Sequence, residues 1–405
     1  MGKYKGKFER GTQPDGAKDP VGRAAQQEKK NAAPTQKASP HRDRNEDPYG
    51  AHHEAVSKTA GKKKSRVSTP AKIALIALLV IVLLVGGVLV YANYMLNKID
   101  RSEISGDPSL SYADLLGDVE THDVEDSQDA INNAQSSYDA VQTQENLDSG
   151  TGIVNYLIIG SDRRDTSGYG NSDSMIIMSL NKDTKKIHLT SLMRAMYVCI
   201  PKDSGDSWGM LNWSYAWGGP ELLMKTIENN FKIHIDHYAS VDFSSFEDVI
   251  DAIGGVSLEL TSGEASYVND ETESMLRAGT QLLNGEQALS YSRCRYLDND
   301  FKRTSRQRNV LEAVINSTTS MNVSQLSNLC NALLPAINTD MSNAAILAEA
   351  VNLGSYKNYP IDQMMLPIEN QDGESYTGIM YVKGAEMYYV DLTTNLPALQ
   401  NFIKD

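Results

Sequence analysis

Cysteine is scarce in this chain of 405 residues, which contains only Cys199, Cys294 and Cys330. So sparse and odd a set does not form the disulfide framework of a small secreted domain. It allows one disulfide bridge and does not indicate which pair would form it. A hydrophobic core must therefore hold the fold, and apolar residues make up 40% of the chain, enough for a large core.

Two common nucleotide and metal motifs are missing as well. The sequence has no GxxxxGK[ST] phosphate-binding loop and no HExxH zinc motif. Three of the seven histidines, His41, His52 and His53, lie in the N-terminal tail. These absences argue against a P-loop NTPase and against a zinc metalloprotease.

Residues 73–92 contain no charged side chain, and the net charges on either side of this strip have opposite signs. Residues 1–72 carry 17 Lys and Arg against 8 Asp and Glu, a net charge of +9. Residues 93–405 carry 21 basic and 44 acidic residues, a net charge of −23. The acidic C-terminal part argues against a nucleic-acid partner, because phosphate binding needs clustered positive charge.

The uncharged strip predicts a transmembrane helix over 73–92. The 19 residues from Ile73 to Tyr91 would form a helix about 28 Å long, close to the roughly 30 Å hydrocarbon core of a bilayer. A cleaved signal peptide is the competing interpretation, but this strip exceeds the usual apolar core of about 7–15 residues. Lysines cluster just before the strip, which predicts a cytoplasmic N-terminus and an extracytoplasmic C-terminal part.

Composition divides the rest of the chain. We interpret residues 1–72 as a disordered basic cytoplasmic tail, because they hold few large apolar residues. Residues 93–150 are polar and acidic, which is typical of a juxtamembrane spacer with one or two short helices. Over 151–405, short apolar runs alternate with helical patterns, which predicts a single extracytoplasmic α/β domain with a central mixed sheet flanked by helices.

Two aspartates lie at the ends of predicted strands. Asp162 follows the apolar run 153–159, and Asp173 directly precedes the run 175–180. If those strands are neighbours, the two carboxylates meet at one edge of the sheet. Hard oxygen ligands of this kind suit Mg²⁺ or Mn²⁺. The alternative is that both aspartates are ordinary turn residues.

Arginines are concentrated near residue 300. Arg293 and Arg295 flank Cys294 in YSRCRY, and as a strand this segment would direct both guanidinium groups to one face. Further polar side chains follow at i, i+3 and i+4, one face of a predicted helix: Arg303, Arg306 and Gln307. Four converging arginines repel each other unless a polyanion is present, and forked guanidinium groups match phosphate oxygens. The alternative is a solvated basic patch.

The order of these segments resembles the LytR–CpsA–Psr family. The resemblance covers about 153–400, and the matching stretches are NYLIIGSD, NSDSMIIMSLN, SLMRAMYV, LNWSYAWGGPELLMKTIENNF, IDHYASVDFSSFEDVIDAIGGV, LLNGEQALSYSRCR and RTSRQR. It implies a membrane-anchored phosphotransferase that moves a glycopolymer, such as teichoic acid or capsule, from a polyprenyl-pyrophosphate carrier to peptidoglycan. The implied partners are that lipid-linked glycopolymer, peptidoglycan and the lipid bilayer of a Gram-positive cell.

The resemblance also implies residue roles by motif position. Asp162 and Asp173 would hold Mg²⁺ against the pyrophosphate, and Arg194 would be the active-site arginine after the third strand. The remaining implied pyrophosphate-binding residues are Arg163, Arg293, Arg295, Arg303, Arg306 and Gln307. The lipid would lie in an apolar tunnel between sheet and helices, lined by Ile, Leu and Phe side chains from 220–254. No nucleophilic side chain is needed if the acceptor hydroxyl attacks directly.

The chain departs from the family pattern at four places near these residues. Ala195 stands where Asp is common, Asn171 where Arg is common, Met210 where Lys is frequent, and Trp213 where His or a small residue is usual. Two alternatives therefore stay open: a catalytically weakened polyprenyl-phosphate-binding or regulatory member, and a polyprenyl-pyrophosphate phosphatase. The nearby aromatic residues are either a sugar-stacking wall or a packed core: Trp208, Trp213, Tyr215 and Trp217.

Overall fold

The structure is a computed structural model that describes residues 83, 87–99, 101, 106–117, 119–147, 152–161, 172–294, 297, 300–318, 321–369 and 377–405. The predicted cytoplasmic tail lies outside these residues, as does most of the predicted transmembrane segment. Within the described ranges, no helix combines the length and the apolar character that crossing a membrane requires.

Helices and strands alternate along the described chain, as the sequence predicts. The strands are β1 (Ile153–Ser161), β2 (Ser172–Asn181), β3 (Lys186–Leu192), β4 (Tyr197–Lys202), β5 (Gly205–Met210), β6 (His237–Asp242), β7 (Val256–Leu260), β8 (Gly279–Leu283), β9 (Ile337–Thr339), β10 (Ile361–Leu366), β11 (Thr377–Val382) and β12 (Ala385–Val390). The helices are α1 (87–96), α2 (Tyr112–Leu116), α3 (Gln128–Val141), α4 (Leu211–Phe231), α5 (Phe243–Ala252), α6 (Ser262–Thr272), α7 (Gly285–Arg293), α8 (Asp300–Thr318), α9 (Val323–Ala336), α10 (Asn343–Tyr356) and α11 (Leu392–Lys404).

The central sheet has the strand order β10-β3-β2-β1-β6-β9. Strand β1 pairs antiparallel with β2 and parallel with β6. On one side β2 pairs antiparallel with β3, which pairs parallel with β10, and on the other side β6 pairs antiparallel with β9. The predicted mixed sheet is therefore confirmed, and the strands that flank Asp162 and Asp173 in sequence are direct neighbours.

Helices cover both faces of this sheet. On one face, α3, α4 and α11 build the largest hydrophobic core with Leu157 and Ile177 of the sheet. On the other face, α8 packs on β2, β3 and β10, while α5 contacts β6. Alternating side chains of β1 and β2 serve the two faces, because successive residues of a strand point in opposite directions.

The core extends N-terminal to the expected domain boundary at residue 151. The expected short helices are present as α2 and α3, but their buried side chains join the main core: Leu115, Ile131, Ala134 and Val141. Residues of the segment 93–150 are therefore part of the folded unit, because α3 packs against α11, β4 and β12 and Leu115 of α2 joins the same core. The three cysteines form no disulfide bridge with one another.

The segment before Cys294 is a helix, and the predicted strand for YSRCRY is wrong there. Helix α7 runs from Gly285 to Arg293, and Asn284 caps its start by accepting a hydrogen bond from the Gln287 backbone N–H. The Gln287 side chain accepts in return from the Asn284 backbone N–H at 3.0 Å. This reciprocal capping box explains why the segment folds as a helix. Residue 295 lies outside the described residues.

Candidate functional site

A cavity of about 1050 Å³ lies between the second face of the sheet and helices α5, α7 and α8. Its walls include the row Ala239, Ile158 and Ile176, which are cross-strand partners on β6, β1 and β2. Gly160 and Ser174 form the next row. A Cβ atom on Gly160 would lie 3.1 Å from Cβ of Ser174, which is a tight contact. Glycine at this position avoids that contact and leaves the space to the cavity.

Along one face of α8, the side chains that line the cavity change from charged and polar to apolar. Arg303 and Gln307 line it near the helix N-terminus, followed by Val310, Leu311 and Val314. The spacing i, i+4, i+7, i+8 and i+11 is a single helical stripe. Arg303 is 2% exposed, so its guanidinium group is held inside the domain.

The charged residues collect where β1, β3 and β6 end and β2 begins. We call the cavity lining formed by Asp173, Arg194, Arg293, Arg303 and Gln307 the charged end. The register pairs Ser161 of β1 with both Ser172 and Asp242, which brings these strand ends to one edge. Sequence analysis places all five residues in the site, and the structure brings them to one cavity.

Asp173 and Arg194 form an ion pair at the charged end. Nη1 of Arg194 lies 3.1 Å from Oδ1 of Asp173. Asp173 is the second residue of β2, and Arg194 follows the antiparallel strand β3 by two residues. Both side chains are partly exposed, so they are accessible to a ligand in the cavity. Asp162 and Arg163 lie outside the described residues.

Arg293 ends helix α7, where a cation is stabilised by the helix dipole. Its guanidinium carbon lies 5.0 Å from the centroid of the Phe243 ring. Phe243 begins α5 directly after β6, and Asp242 caps that helix by accepting from the Ser245 backbone N–H at 2.8 Å. The aromatic ring therefore supports the guanidinium group from the sheet side.

Glu247 is a cavity residue that the motif comparison misses. Burial, followed by the negative charges of Glu286, Asp251 and Asp248, raises the pKa of Glu247, and Arg293 partly offsets this rise. Glu247 lies four residues after Phe243, on the same face of α5, and this helical period is the signal that could have found it.

Arg306 has a structural position, unlike its expected role in pyrophosphate binding. Nε of Arg306 lies 2.7 Å from Oε1 of Glu264 on α6, and Nη1 donates to the Cys294 carbonyl oxygen at 3.1 Å. Both side chains are buried. Around the helix Arg306 lies about 60° from Arg303 and about 100° from Gln307, and its contacts with Glu264 and Cys294 turn the side chain toward α6 and the end of α7.

The apolar part of the cavity is formed by α5, α8 and α9 with β9. The lining residues from these elements are Phe246, Val249, Ile250, Val310, Leu311, Val314, Leu333 and Ile337. The expected apolar lining from 220–254 is therefore right for α5 and wrong for α4. Leu223, Ile227 and Phe231 of α4 pack in the core on the opposite face of the sheet.

The aromatic cluster is packed core, which removes the sugar-wall alternative. Trp213, Tyr215 and Trp217 are at most 3% exposed. Nε1 of Trp217 donates to the Leu110 carbonyl oxygen at 2.9 Å. These rings belong to the hydrophobic core with α3 and α11, and Trp208 packs partly buried against it.

The segment Gly205-Asp206-Ser207-Trp208-Gly209 has the spacing of a nucleophile elbow, GxSxG. Ser207 lies within strand β5, where it is paired with Ile200 of β4 in a hairpin. A nucleophile elbow requires a sharp turn between a strand and a helix, with the serine at the turn. Ser207 therefore does not have the position of such a nucleophile.

The charged end offers a side chain that is chemically suited to bind a magnesium ion. The carboxylate of Asp173 is a hard oxygen donor that faces the cavity, and Mg²⁺ commonly uses one or two protein carboxylates together with substrate phosphates. Among the described residues, no group of three His, Cys, Asp or Glu side chains could enclose a metal by itself. The phosphate oxygens of a substrate would have to supply further ligands.

Comparisons with known proteins agree with this fold. A model described as the LytR_cpsA_psr family matches residues 119–398. The chain is 35% identical to the polyisoprenyl-teichoic acid–peptidoglycan teichoic acid transferase TagU of Enterococcus faecalis over 228 residues, which cover 54% of this chain and 72% of that protein.

This chain is also similar to a regulatory protein in sequence and to two solved structures in fold. The regulatory protein MsrR of Staphylococcus aureus is 28% identical over 258 residues, covering 63% of this chain and 75% of MsrR. The structures of Bacillus subtilis TagT and of TagT bound to LIIa-WTA are each 24% identical, with a TM-score of 0.51. Each alignment covers 65% of this chain and 96% of the solved chain. At this identity the structures show a shared fold.

Proposed function

The chain belongs to the LytR–CpsA–Psr family, and from this premise we propose that it is a membrane-anchored phosphotransferase. It moves a glycopolymer from a polyprenyl-pyrophosphate carrier to peptidoglycan. TagU, which is named a teichoic acid transferase, supports teichoic acid as the class of glycopolymer.

One observation carries the proposal: the cavity is charged at one end and apolar along the rest of the same α8 stripe. The donor has the same polarity, because a pyrophosphate joins a polar glycopolymer to a hydrocarbon chain. Arg303 and Gln307 face the position of the pyrophosphate, while Val310, Leu311 and Val314 face the position of the hydrocarbon. A cavity of about 1050 Å³ is large enough for part of a polyprenyl chain.

The charged end supplies what phosphoryl transfer requires. The oxygen of an acceptor hydroxyl on peptidoglycan forms a bond to the sugar-linked phosphorus, and the hydroxyl proton passes to solvent water. The bond from that phosphorus to the bridging oxygen breaks, and polyprenyl phosphate leaves. The positive charges of Arg194, Arg293 and Arg303 stabilise the negative charge that develops on the phosphate oxygens and on the leaving group. Contact with the Phe243 ring keeps the Arg293 guanidinium group in place before the substrate binds.

Asp173 would hold Mg²⁺ together with the donor's phosphate oxygens, and Arg194 orients the Asp173 carboxylate. When bound, the ion supplies Lewis-acid neutralisation of phosphate charge. We assign the same role to Asp162 and further pyrophosphate contacts to Arg163 and Arg295 by motif position. Mn²⁺ has the same preference for oxygen ligands and would substitute.

Location is part of the proposal. The uncharged strip 73–92 is a single membrane span, the basic tail is cytoplasmic, and the domain faces the wall of a Gram-positive cell. An extracytoplasmic domain on such an anchor meets both the lipid-linked donor and peptidoglycan.

The test is transfer in vitro. The full chain in phospholipid vesicles receives a polyprenyl-pyrophosphate-linked glycopolymer, peptidoglycan and Mg²⁺, and two products are measured: wall-linked glycopolymer and polyprenyl phosphate. We expect both with the wild type and a loss of about 10²-fold or more with Arg303→Gln. Equal transfer by the wild type and Arg303→Gln would contradict the proposed site.

A second candidate is a member that binds polyprenyl phosphates without transfer. Ala195 favours it, because a carboxylate common in the family is missing beside the Arg194–Asp173 pair. The name of MsrR as a regulatory protein is compatible with such a role. The same assay separates the candidates: binding of the donor without either product supports this one. Release of polyprenyl phosphate without wall attachment supports a phosphatase with water as the acceptor.

A further inference from the structure

Three helices on one side of the domain are almost free of charge. Helices α1, α9 and α10 together contain a single charged residue, Glu349, although residues 93–405 carry a net charge of −23. Glu349 is paired internally, with Nζ of Lys182 at 3.0 Å and with the hydroxyl of Tyr356 at 2.7 Å. An uncharged face on so acidic a domain points to a partner other than water.

Helix α1 is fixed to α9 and α10 by an apolar cluster and by polar contacts at its ends. Met95, Leu96 and Ile99 are buried against Leu334 and neighbouring residues of α9 and α10. The Tyr91 hydroxyl lies 3.0 Å from Oγ of Ser327, and Nζ of Lys98 donates to Oδ1 of Asn331 at 2.9 Å. These contacts follow α9 in order along the chain, so α1 runs beside α9 in the same direction.

The C-terminal end of α1 is similarly fixed to the start of α10. The Nη2 atom of Arg101 donates to Oδ1 of Asn343 at 2.6 Å, and Nδ2 of Asn343 donates to Oδ1 of Asn97 at 2.8 Å. The three helices therefore form one docked group.

Helix α9 separates α1 from the cavity. Leu333 lines the apolar part of the cavity, whereas the next residue, Leu334, is buried in the cluster with α1. Ile337, directly after α9, takes part in both. Helix α9 therefore lies between the apolar part of the cavity and α1, which shares residues 87–92 with the uncharged strip.

The docked group also exposes large apolar side chains. Of the fourteen such residues that are exposed in the described part of the chain, eight lie on α1, α9 and α10: Val88, Leu89, Val90, Tyr91, Tyr94, Leu326, Val351 and Leu353. Val351 is 84% exposed, in the second half of α10.

We infer that α1, α9 and α10 form a surface that lies on the lipid bilayer, with Val351 and Leu353 of α10 in contact with it. The occupant is a bilayer because residues 87–92 of α1 belong to the uncharged strip that we propose as the membrane span, and because anionic lipid headgroups would repel an acidic surface but not an uncharged one. This orientation brings the apolar part of the cavity next to the acyl chains, so the hydrocarbon of the donor enters beside α9. The inference rests on the proposed function for its role and on the surface itself for its existence.

The test uses the full chain in vesicles of phosphatidylcholine and phosphatidylglycerol. A fluorophore is attached at Val351→Cys or Leu353→Cys, and the vesicles contain lipids with a spin label in the acyl chain. Residues 350–355 of α10 are exposed on all sides of the helix, so this end of α10 would enter the headgroup and acyl boundary, which interfacial helices reach to a depth of about 5–10 Å. We therefore expect strong quenching at both positions. Ile379→Cys, at a 59% exposed apolar position on β11, is the matched control and should stay bright. The labelled wild type gives the background from Cys330.

The outcomes decide between occupants. Quenching at Val351 and Leu353 but not at Ile379 supports the inference. Equal quenching at all three positions overturns it. Absence of lipid quenching, combined with fluorophore pairing between molecules, also overturns it and identifies a second copy of the chain as the occupant.

A transfer assay distinguishes failure of this inference from failure of the proposed function. The double substitution Val351→Glu and Leu353→Glu should slow transfer from a vesicle-embedded donor by about fivefold per added charge. It should leave transfer from a short-chain, water-soluble donor unchanged, as should Ile379→Glu with either donor. Equal slowing with both donors overturns the orientation. A wild type inactive with both donors contradicts the proposed function, and the quenching result still decides the surface.

Discussion

Arg194 contacts Asp173 across the charged end of the cavity, with 3.1 Å between Nη1 and Oδ1. The two residues come from the end of β3 and the start of β2, which the antiparallel pairing brings together. The pair orients the Asp173 carboxylate at the end of the cavity that also holds Arg293 and Arg303. A cation bound with the donor would share this carboxylate with Arg194.

Removing the Asp173 carboxylate should abolish most transfer. We expect Asp173→Asn to lower turnover by about 10²-fold or more, because the amide cannot supply a charged oxygen to a divalent cation. Turnover is measured in the vesicle assay over a range of Mg²⁺ concentrations. Asp206→Asn, at an exposed position of β5, is the control and should match the wild type. Unchanged turnover and Mg²⁺ dependence in Asp173→Asn would exclude the assigned role.

Arg306 should matter for stability more than for chemistry. Burial tends to raise the pKa of Glu264, but hydrogen bonds from Thr261 and Arg306 outweigh this and hold the pKa below its usual value. Breaking a buried ion pair costs about 3–5 kcal/mol, so Arg306→Gln should lower the free energy of unfolding by about that amount. Urea denaturation measures it.

The double substitution Arg306→Gln with Glu264→Gln is the control for this pair. Its loss of stability should be smaller than the sum of the two single losses, because each single substitution leaves one buried charge without its partner. Arg303→Gln should instead weaken donor binding. A weakly binding but fully stable Arg306→Gln protein would contradict this assignment.

Narrowing the apolar part of the cavity should select against long lipids. Val314→Trp places a large ring on the α8 stripe that lines the cavity. We expect KM for a long-chain donor to rise about tenfold, with a much smaller change for a short-chain donor, because the added ring excludes hydrocarbon. Asn316→Trp, at an exposed position on the same helix, is the matched control. An equal rise in KM for both donors would place the lipid elsewhere.

His188 should make the fold sensitive to acid. It is fully buried in β3 against the ring of Phe402, and neither ring nitrogen has a hydrogen-bond partner among the described residues. Burial lowers its pKa below 6.5; Asp362 opposes this, Lys186 adds to it and Asp405 opposes it. Between the folded pKa and about 6.5, the unfolded chain binds a proton that the folded chain does not.

Stability should therefore fall as pH is lowered through that window, by at most about 1.4 kcal/mol per pH unit from this group. The free energy of unfolding, measured by urea denaturation between about pH 7 and about pH 5, should fall more for the wild type than for His188→Leu. The difference isolates His188 from the other histidines. Identical pH slopes in the two proteins would show that His188 does not titrate in this range.

Local patterns were sufficient for much of the fold. The apolar runs that become β1, β2 and β3 are visible in sequence, because a buried strand needs only a short stretch of large apolar residues. The apolar spacing on α5 and the Gly254-Gly255 pair that follows it also predict that helix correctly. The alternating arginines predict a strand at the end of the segment that becomes α7, but the capping pair Asn284 and Gln287 starts a helix there.

The sequence by itself determined many of the helices and strands, the mixed α/β class and the five residues of the charged end, since each depends on residue type and on spacing within one segment. Only the tertiary structure decided which parts of the chain each side chain contacts. It turned Arg306 toward Glu264, buried Trp213 and Trp217 in the core, and placed α9 between α1 and the cavity. Helical spacing defines the face on which a side chain lies. The neighbour that meets this face is set by packing between segments far apart in the chain, which periodicity does not encode.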